Sequence, residues 1–364
     1  MSQQMNIKSS VRNSSIELCR IIAMLLIVIS HTYTCGMGAW NWSHDGGIVL
    51  TANIVPQTFI ASFFYFGVNI FILISGYFLI KPNITKFVHL YVVVAFYTLL
   101  GLIFHQCQMG EFSVINTVVQ TIFPFGKQGG GYWFVECYLY LFLIAPILNA
   151  AIDKLNNKQF LYATLLLGII DVYFGYLWQR PAIDGTGYCF THFIFLYCLG
   201  RCLKKYQAKI NQIKYIKTYT MVVYVISAVT IFLMFYLSAS IQPLRFRTHC
   251  HSNPFSIIGA VALFVFFTQY NFNNCWINII ATTTFGIYLF QGNRYFIDAI
   301  YDNLQLYTNI NTFVTFLVGV GLFLIGVLVD FLLQFIYKPI GTCLVKTLQS
   351  IKKRYLIYLF KVGR

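Results

Sequence analysis

The sequence predicts an all-α fold, a polytopic membrane bundle of about ten transmembrane helices with both termini in the cytoplasm. Of its 364 residues, 58% are hydrophobic and only 10% are charged, whereas a soluble domain usually carries about 25% charged residues. The apolar residues form continuous runs of roughly the 20 residues that a helix needs to cross a bilayer. The basic residues lie between these runs, so the net charge of +15 indicates membrane topology rather than nucleic-acid binding.

The apolar runs predict ten spans in one membrane domain, residues 1–364, because no Pro-rich or Ser-rich linker divides the chain. Such runs argue against a transmembrane β-barrel, whose strands alternate with a period of two residues. The first run follows basic residues, as a secretory signal does, but no clean cleavage pattern follows it, so we interpret it as an uncleaved helix. In chain order, the predicted spans are Ile16–Cys35, Pro56–Ile80, Phe87–Cys107, Tyr132–Ala151, Phe160–Trp178, Ile183–Leu203, Tyr219–Ser240, Pro254–Tyr270, Ile279–Tyr301 and Thr312–Ile336.

The placement of Lys and Arg predicts the orientation of these spans. One set of connections, which includes the Lys204–Lys217 loop and both chain ends, holds most of the basic residues. The alternate connections hold only Lys127, Arg180, Arg245, Arg247 and Arg294. Because cytoplasmic connections are enriched in Lys and Arg, both termini and the Lys204–Lys217 loop are expected in the cytoplasm.

Cysteine and histidine give no metal prediction. The ten cysteines include no CxxC pair, and we interpret those near apolar runs as small buried hydrophobes. His249, Cys250 and His251 are consecutive, but no second ligand cluster has metal-type spacing. Asp171, Asp298 and Asp330 are acids near span ends to which the sequence assigns no role.

The first span carries the most informative polar pattern, formed by Glu17, Arg20 and His31. Ionisable groups inside a bilayer cost a few kcal/mol each, so each is a functional candidate. The interval from Arg20 to His31 is about three turns plus 20°, which places both side chains on one helix face, about 16 Å apart along the axis. Glu17 lies one turn before Arg20 and can pair with it.

This pattern suits catalysis by His31 and Arg20. Histidine has an unperturbed pKa near neutrality, so His31 can take and return a proton. The guanidinium of Arg20 keeps its charge and suits a phosphate-bearing substrate. The same spacing also fits a histidine that only packs and an arginine that anchors the helix at the interface.

The second and fourth spans add further candidates. Glu136 could orient or charge-balance His31, bind a sugar hydroxyl, or contact headgroup water as an interfacial carboxylate. Tyr132 and Trp133 fit a sugar-stacking platform or an aromatic belt at the membrane surface. Asn69 and Ser75 are substrate-binding candidates, although polar and small residues in such a segment also serve helix packing.

Five sequence blocks in order resemble the acyltransferase-3 family of membrane acyltransferases. They are Arg20-x10-His31 after Ile16-Glu17-Leu18, Phe66–Tyr77, Tyr132–Phe134 with Tyr138 and Ala145–Asn149, Ser252–Phe255, and Thr284–Leu289. The resemblance implies a bundle of about ten helices that transfers an acyl group, usually acetyl from acetyl-coenzyme A, to a carbohydrate hydroxyl. It maps the family's histidine to His31 and its arginine to Arg20.

Two departures from the family pattern bear on the site. Such sequences often continue with His-Asp-Asn after the Thr284–Leu289 block, whereas this chain reads Gln291-Gly292-Asn293. Gln291 and Asn293 are therefore substrate-binding candidates, and the missing histidine is either dispensable or a sign of altered activity. Glu136 also stands where a small or neutral residue is common.

The predicted function is membrane O-acyl transfer to a cell-surface or exported polysaccharide, at the plasma membrane. Acetyl-coenzyme A is the expected donor, and no metal or nucleic acid is expected. Expected partners are the carbohydrate acceptor and membrane lipids, with polysaccharide-synthesis machinery as a conceivable one. Direct attack on the thioester and an acyl intermediate on His31 both remain open. The alternatives are a glycan or small-solute transporter or flippase, and a structural member of an envelope-assembly complex.

Overall fold

The computed structural model describes residues 12–34, 54–110, 112–125, 131–178, 184–240, 248, 250–304 and 311–362. Every regular element in these ranges is helical, which confirms the all-α prediction. The predicted span ends Cys35 and Ile183 lie outside the described residues, as do His249 and four of the five basic residues assigned to the outer connections, Lys127, Arg180, Arg245 and Arg247.

Fourteen α-helices lie within the described residues. They are α1 (Ser14–Thr34), α2 (Ile54–Ser62), α3 (Gly67–Phe78), α4 (Ile84–Met109), α5 (Val114–Ile122), α6 (Trp133–Lys154), α7 (Asn157–Gly168), α8 (Phe190–Asn211), α9 (Ile216–Ser240), α10 (Pro254–Thr268), α11 (Cys275–Ala281), α12 (Thr284–Gln291), α13 (Arg294–Leu304) and α14 (Thr312–Val362). A π-helix, Ile169–Leu177, continues α7 without a break.

Seven helical segments among the described residues are long and apolar enough to cross a membrane. They are Ser14–Thr34, Val55–Phe78, Ile84–Met109, Trp133–Lys154, Asn157–Leu177, Ile216–Ser238 and Thr312–Lys352. The protein is therefore a multi-pass membrane protein. The predicted number of about ten spans is not confirmed, and the cytoplasmic location of both termini stays a prediction.

The other three predicted spans differ from the structure in ways that explain the lower count. The sixth contains α8, which begins only at Phe190 and continues into a Lys-rich end at Asn211. The eighth is α10, whose 15 residues fall short of the roughly 20 needed to span a bilayer. The ninth is wrong as a single helix, because the Ile279–Tyr301 segment is divided among α11, α12 and α13.

The second span is interrupted between α2 and α3. Residues Phe63–Phe66 form turns, although the sequence there is as apolar as a continuous helix. Gly67 then packs directly on α1, where an added Cβ would lie 2.3 Å from the carbonyl oxygen of Ala23. Non-helical backbone at membrane depth is tolerated where protein covers it, and Tyr65 and Phe66 are buried. The interruption places Tyr65 and Asn69 beside the candidate site.

Helices α3 and α8 pack through glycine against backbone. An added Cβ on Gly76 would lie 2.0 Å from the Tyr197 carbonyl oxygen, and one on Gly200 would lie 2.2 Å from that of Leu73. Small residues allow this close approach of membrane helices. Gly67 and Gly76 therefore serve helix packing, the alternative that the sequence offered for small residues in this segment.

Replacing Gly76 with alanine is expected to destabilise the protein by about 1–3 kcal/mol, the usual cost of overpacking a filled interior. Because the clash is with backbone, α3 and α8 must separate to relieve it. The measurement is the thermal midpoint of the detergent-purified protein. Gly321→Ala on α14 is the matched control, since nothing lies within 4 Å of its added Cβ. Equal midpoints for the two variants would contradict this packing.

Candidate active site

The first part of the site is a charge cluster near the start of α1. The Nη1 atom of Arg20 donates to both carboxylate oxygens of Glu17, at 2.8 Å and 3.0 Å. The Nε atom of Arg12 lies 3.1 Å from the same carboxylate. The predicted Glu17–Arg20 pair is confirmed. Two guanidinium groups facing one carboxylate leave an excess positive charge, and Arg20 is 29% exposed.

Ser75 and Tyr138 extend this cluster onto α3 and α6. The Tyr138 hydroxyl lies near the Ser75 hydroxyl and within the electrostatic influence of Arg20. Ser75 Oγ donates to the Phe71 carbonyl oxygen at 2.9 Å. Groups on α3 and α6 thus lie near the charge cluster of α1.

His31 lies toward the other end of α1, about 16 Å from Arg20 along the axis. Helix α1 is continuous from Ser14 to Thr34, so the predicted arrangement of a cation and an imidazole on one helix is present. The His31 ring is partly exposed. Its Nδ1 atom is buried, with no hydrogen-bonding partner among the described residues. That nitrogen is available to a substrate.

A second feature is a buried chain of hydrogen bonds through Asp171, His192 and Asn69, which ends at the backbone of His251. His192 Nδ1 on α8 lies 2.7 Å from Asp171 Oδ2 in the π-helix. His192 Nε2 lies 3.1 Å from Asn69 Oδ1 on α3. Asn69 Nδ2 donates to the His251 carbonyl oxygen at 2.9 Å. Asn69, a predicted substrate-binding residue, therefore has protein partners on both sides of its amide.

His251, just before α10, lies among aromatic rings. Its ring centroid is 5.5 Å from Trp133, 5.2 Å from Tyr65 and 4.8 Å from Tyr188. Its Nδ1 atom is buried and, within the part of the chain that the structure describes, has no partner. Burial, followed by the charges of His192 and His31, lowers the pKa of His251 to about 3. His251 is therefore a neutral imidazole at physiological pH.

Trp133 belongs to this ring cluster rather than standing apart in an aromatic belt. It stacks on His251 with an interplanar angle of 20° and also approaches Tyr188, at 4.3 Å between centroids. Its partial exposure leaves part of its surface open beside two polar rings. Stacking on a sugar ring is compatible with this position.

The end of α12 contributes a polar group that lacks partners. Gln291 is 1% exposed, and neither its Nε2 nor its Oε1 has a hydrogen-bonding partner in the described chain. Its neighbours are satisfied, because Asn293 Nδ2 donates to Tyr132 Oη at 2.8 Å and Tyr132 Oη donates to the Leu289 carbonyl oxygen at 3.0 Å. Gln291 thus offers a donor and an acceptor to a ligand.

Glu136 lies in the first turn of α6 and is partly exposed. Its Oε1 accepts a 2.6 Å hydrogen bond from Tyr140 Oη, one turn further along the same helix. Its hydrogen-bonding partner is therefore Tyr140 rather than His31. This geometry does not support a role for Glu136 in orienting the imidazole of His31.

Sequence reasoning missed the Asp171–His192 pair and the place of His251. Both members of the pair lie inside predicted spans, and ionisable residues there are functional candidates by default. That rule could have selected Asp171 and His192 as functional candidates from the sequence. Their pairing could not be predicted, because the two residues are 21 positions apart on different helices. The described residues contain no cluster of three or more His, Cys, Asp or Glu side chains suited to a metal.

The fold and the site define a class, a multi-pass membrane protein with imidazoles and amides buried inside its helical bundle. Residues 13–333 match the model of the acyltransferase-3 family, described as an acyltransferase domain. The match covers most of the 364 residues, so the chain belongs to the acyltransferase-3 family and is a membrane acyltransferase. The predicted resemblance is confirmed. Neither a curated protein nor a solved structure matches the chain significantly.

Proposed function

We propose that this protein transfers an acetyl group from acetyl-coenzyme A to a hydroxyl of a cell-surface or exported polysaccharide, at the plasma membrane. The observation that carries the proposal is the Nδ1 of His31, which has no partner among the described residues, on the helix that begins in the positively charged Arg12–Glu17–Arg20 cluster. A transferase for a phosphate-bearing thioester needs a proton acceptor and a cationic anchor at separate points. Helix α1 carries both.

The Arg20 cluster suits the donor. Coenzyme A carries phosphates at one end and the thioester at the other, so a cation some distance from the reacting atoms can hold it. The pair of guanidinium groups leaves one positive charge after Glu17 is neutralised. Since guanidinium groups bind phosphate through several N–H groups, we assign Arg20 to the donor phosphates, with Glu17 fixing its orientation. We assign Ser75 to the donor as well, because Tyr138 lies near both Ser75 and Arg20.

His31 is assigned the proton transfer. Its unprotonated nitrogen accepts the proton of the sugar hydroxyl as the hydroxyl oxygen attacks the thioester carbonyl. The C–O bond forms, the C–S bond breaks, and the coenzyme A thiolate leaves and receives a proton. In the alternative route, the acyl group first rests on His31 and then passes to the sugar.

The acceptor is assigned to the groups around α6 and α12. Gln291 has free hydrogen-bonding capacity, Trp133 offers a ring face, and Glu136 is an accessible carboxylate. Sugar hydroxyls use all three kinds of contact. Tyr132 and Asn293 bond to each other and support the backbone next to Gln291.

Gln291→Leu is expected to raise the thermal midpoint while weakening acyl transfer. A buried polar group without a partner costs about 1–3 kcal/mol, so an apolar side chain of similar volume removes that cost in the free protein. If Gln291 binds the acceptor, the KM for the acceptor rises about tenfold, as the loss of one net hydrogen bond predicts. The measurement pairs a melting curve with acceptor kinetics. Asn293→Leu is the comparison, and it should lose stability because its amide is bonded.

A single experiment tests the proposed function. Purified protein in liposomes receives acetyl-coenzyme A labelled in the acetyl group and surface polysaccharide from cells that lack the protein. Label on the polysaccharide supports the proposal, and the glycan from such cells should lack O-acetyl signals by NMR. Free thiol without labelled glycan would instead indicate another acceptor.

Transport remains a second candidate because of one structural observation. The second span is interrupted at Phe63–Phe66, and the Ile279–Tyr301 segment is divided into short helices. Broken membrane helices are typical of transporters. Movement of labelled glycan across the liposome membrane, with no acetyl label on it, would favour that function. The absence of both activities would favour a structural role in an envelope-assembly complex.

A further inference from the structure

The buried chain of Asp171, His192 and Asn69 has a defined polarity. Asn69 Nδ2 must donate to the His251 carbonyl oxygen, since a carbonyl only accepts. The Asn69 Oδ1 atom therefore faces His192, and His192 Nε2 must donate to it. The remaining nitrogen, Nδ1, shares a proton with Asp171 at 2.7 Å. In either position of that proton the pair is neutral as a whole, which suits its burial.

Through Asn69, these hydrogen bonds fix the carbonyl group of His251. On the other side of the residue, the His251 amide donates to the Thr186 carbonyl oxygen at 2.9 Å. The ring is then held among Trp133, Tyr65 and Tyr188. Backbone and ring are both constrained, yet the ring nitrogen Nδ1 has no partner in the portion of the chain described. A constrained ring nitrogen without a hydrogen-bonding partner among the described residues indicates a position for a ligand atom.

Aromatic rings connect the surroundings of His251 and His31. Tyr65 of the α2–α3 turn stacks on His251, and its neighbour Phe64 stacks on Tyr33 near the end of α1. The two imidazoles are also near enough to interact electrostatically. They belong to different segments, and among the described residues neither Nδ1 has a partner.

We propose that His251 is a second catalytic residue, donating a hydrogen bond from Nδ1 to the thioester carbonyl oxygen, and that Asp171, His192 and Asn69 are its positioning residues. The inference rests on the proposed acyl transfer. When the sugar oxygen attacks, His31 takes the hydroxyl proton and the carbonyl electron pair moves onto the oxygen that His251 faces. When the C–S bond breaks, that pair reforms the carbonyl and the thiolate leaves.

A neutral imidazole is suited to this task. Burial keeps His251 uncharged, because it lowers its pKa to about 3. A neutral ring still has one N–H, and such a donor aimed at a developing oxyanion stabilises the transition state without transferring its proton. In the proposed mechanism His31 is the base and His251 is the hydrogen-bond donor.

The test compares His251→Phe, which keeps a ring among the three aromatic side chains, with His251→Asn, which restores an amide on Cγ near the position of Nδ1. We expect kcat to fall about 10²–10³-fold in the Phe variant, with little change in either KM, and to recover at least about tenfold in the Asn variant. His251→Leu is the second variant should Phe fail to fold. Equal kcat for wild type and a folded variant without a ring nitrogen would overturn the role.

The positioning residues are tested by a double-mutant cycle. Asn69→Leu removes both bonds of the Asn69 amide and should lower kcat, but it should add little further loss to His251→Phe, because both act on one group. Asn149→Leu is the matched control, since Asn149 also bridges a carbonyl, Ile80 O at 2.8 Å, and a side chain, Tyr197 Oη at 2.7 Å. Its effect should add to that of His251→Phe. Full additivity for Asn69→Leu would contradict positioning.

The failure of this inference differs from failure of the proposed function. If the wild type transfers no acetyl group, the proposed function fails and takes the inference with it. If the wild type is active and His251→Phe keeps its kcat within about twofold, only the role of His251 fails. Each arm is normalised to folded protein by size-exclusion chromatography.

Discussion

His31→Ala is expected to abolish most acyl transfer, lowering kcat by about 10²–10⁴-fold, the usual contribution of a positioned general base. The physical reason is that no other group on α1 near this position can accept the hydroxyl proton, whereas the Nδ1 of His31 is buried and unpartnered among the described residues. The measurement is the initial rate of acetyl transfer in liposomes. The KM values should change little, because the proton moves only in the transition state.

The matched control for this substitution is His89→Ala. His89 lies on α4 against Gly341 of α14, and it has no role in the proposed reaction. It should keep near wild-type activity, and both variants should insert and melt normally. A normally inserted His31→Ala protein with full activity would rule out the role of His31 and, with it, the proposed mechanism.

The second large effect is expected at Arg20. Arg20→Gln should lower kcat/KM for acetyl-coenzyme A by roughly 10–100-fold, because a charge-assisted hydrogen bond contributes about 1.5–3 kcal/mol. The loss should appear mainly in the KM for the donor. Arg20→Lys should recover part of it, since lysine keeps the charge but not the planar set of donors.

A shortened donor separates phosphate binding from a structural effect. S-acetylpantetheine carries the thioester but no phosphate, so its slower reaction should be equally fast with wild type and Arg20→Gln. Because Glu17 is nearly buried, removal of Arg20 leaves its carboxylate with Arg12 alone, and the Glu17→Gln/Arg20→Gln double variant restores the charge balance. If Arg20→Gln impairs both donors to the same extent, Arg20 does not bind the phosphates.

The first helix shows how much of the site was readable in the sequence. The 3.6-residue period placed Arg20 and His31 on one face, and the one-turn spacing paired Glu17 with Arg20. The structure confirms that pair and a continuous helix from Ser14 to Thr34. Local periodicity sufficed here because all three residues belong to one helix.

The second span shows where the same reasoning stopped. Its apolar run does not predict the Phe63–Phe66 turns. Hydropathy reports the preference of side chains for lipid or water and not the local conformation of the backbone. Directly after the turns, Gly67 packs against the Ala23 carbonyl of α1, a contact that depends on two helices together. The ninth predicted span failed for a similar reason. Thr282 and Thr283 bond back to Ile279 and Ile280, and α12 and α13 then take separate directions around Asn293.

The sequence by itself determined that this protein lies in a membrane, where most of its membrane helices are, and which family it resembles. It also placed His31 and Arg20 on one face of the first helix. These results follow from composition, from short motifs and from spacing within a single helix. Only the tertiary structure decided that Asp171, His192 and Asn69 form one hydrogen-bonded chain to the His251 backbone, and that the buried Nδ1 of His251 has no partner among the described residues. Hydrogen bonds between helices depend on how those helices pack, and residues 21 to 182 positions apart carry no local trace of their partners.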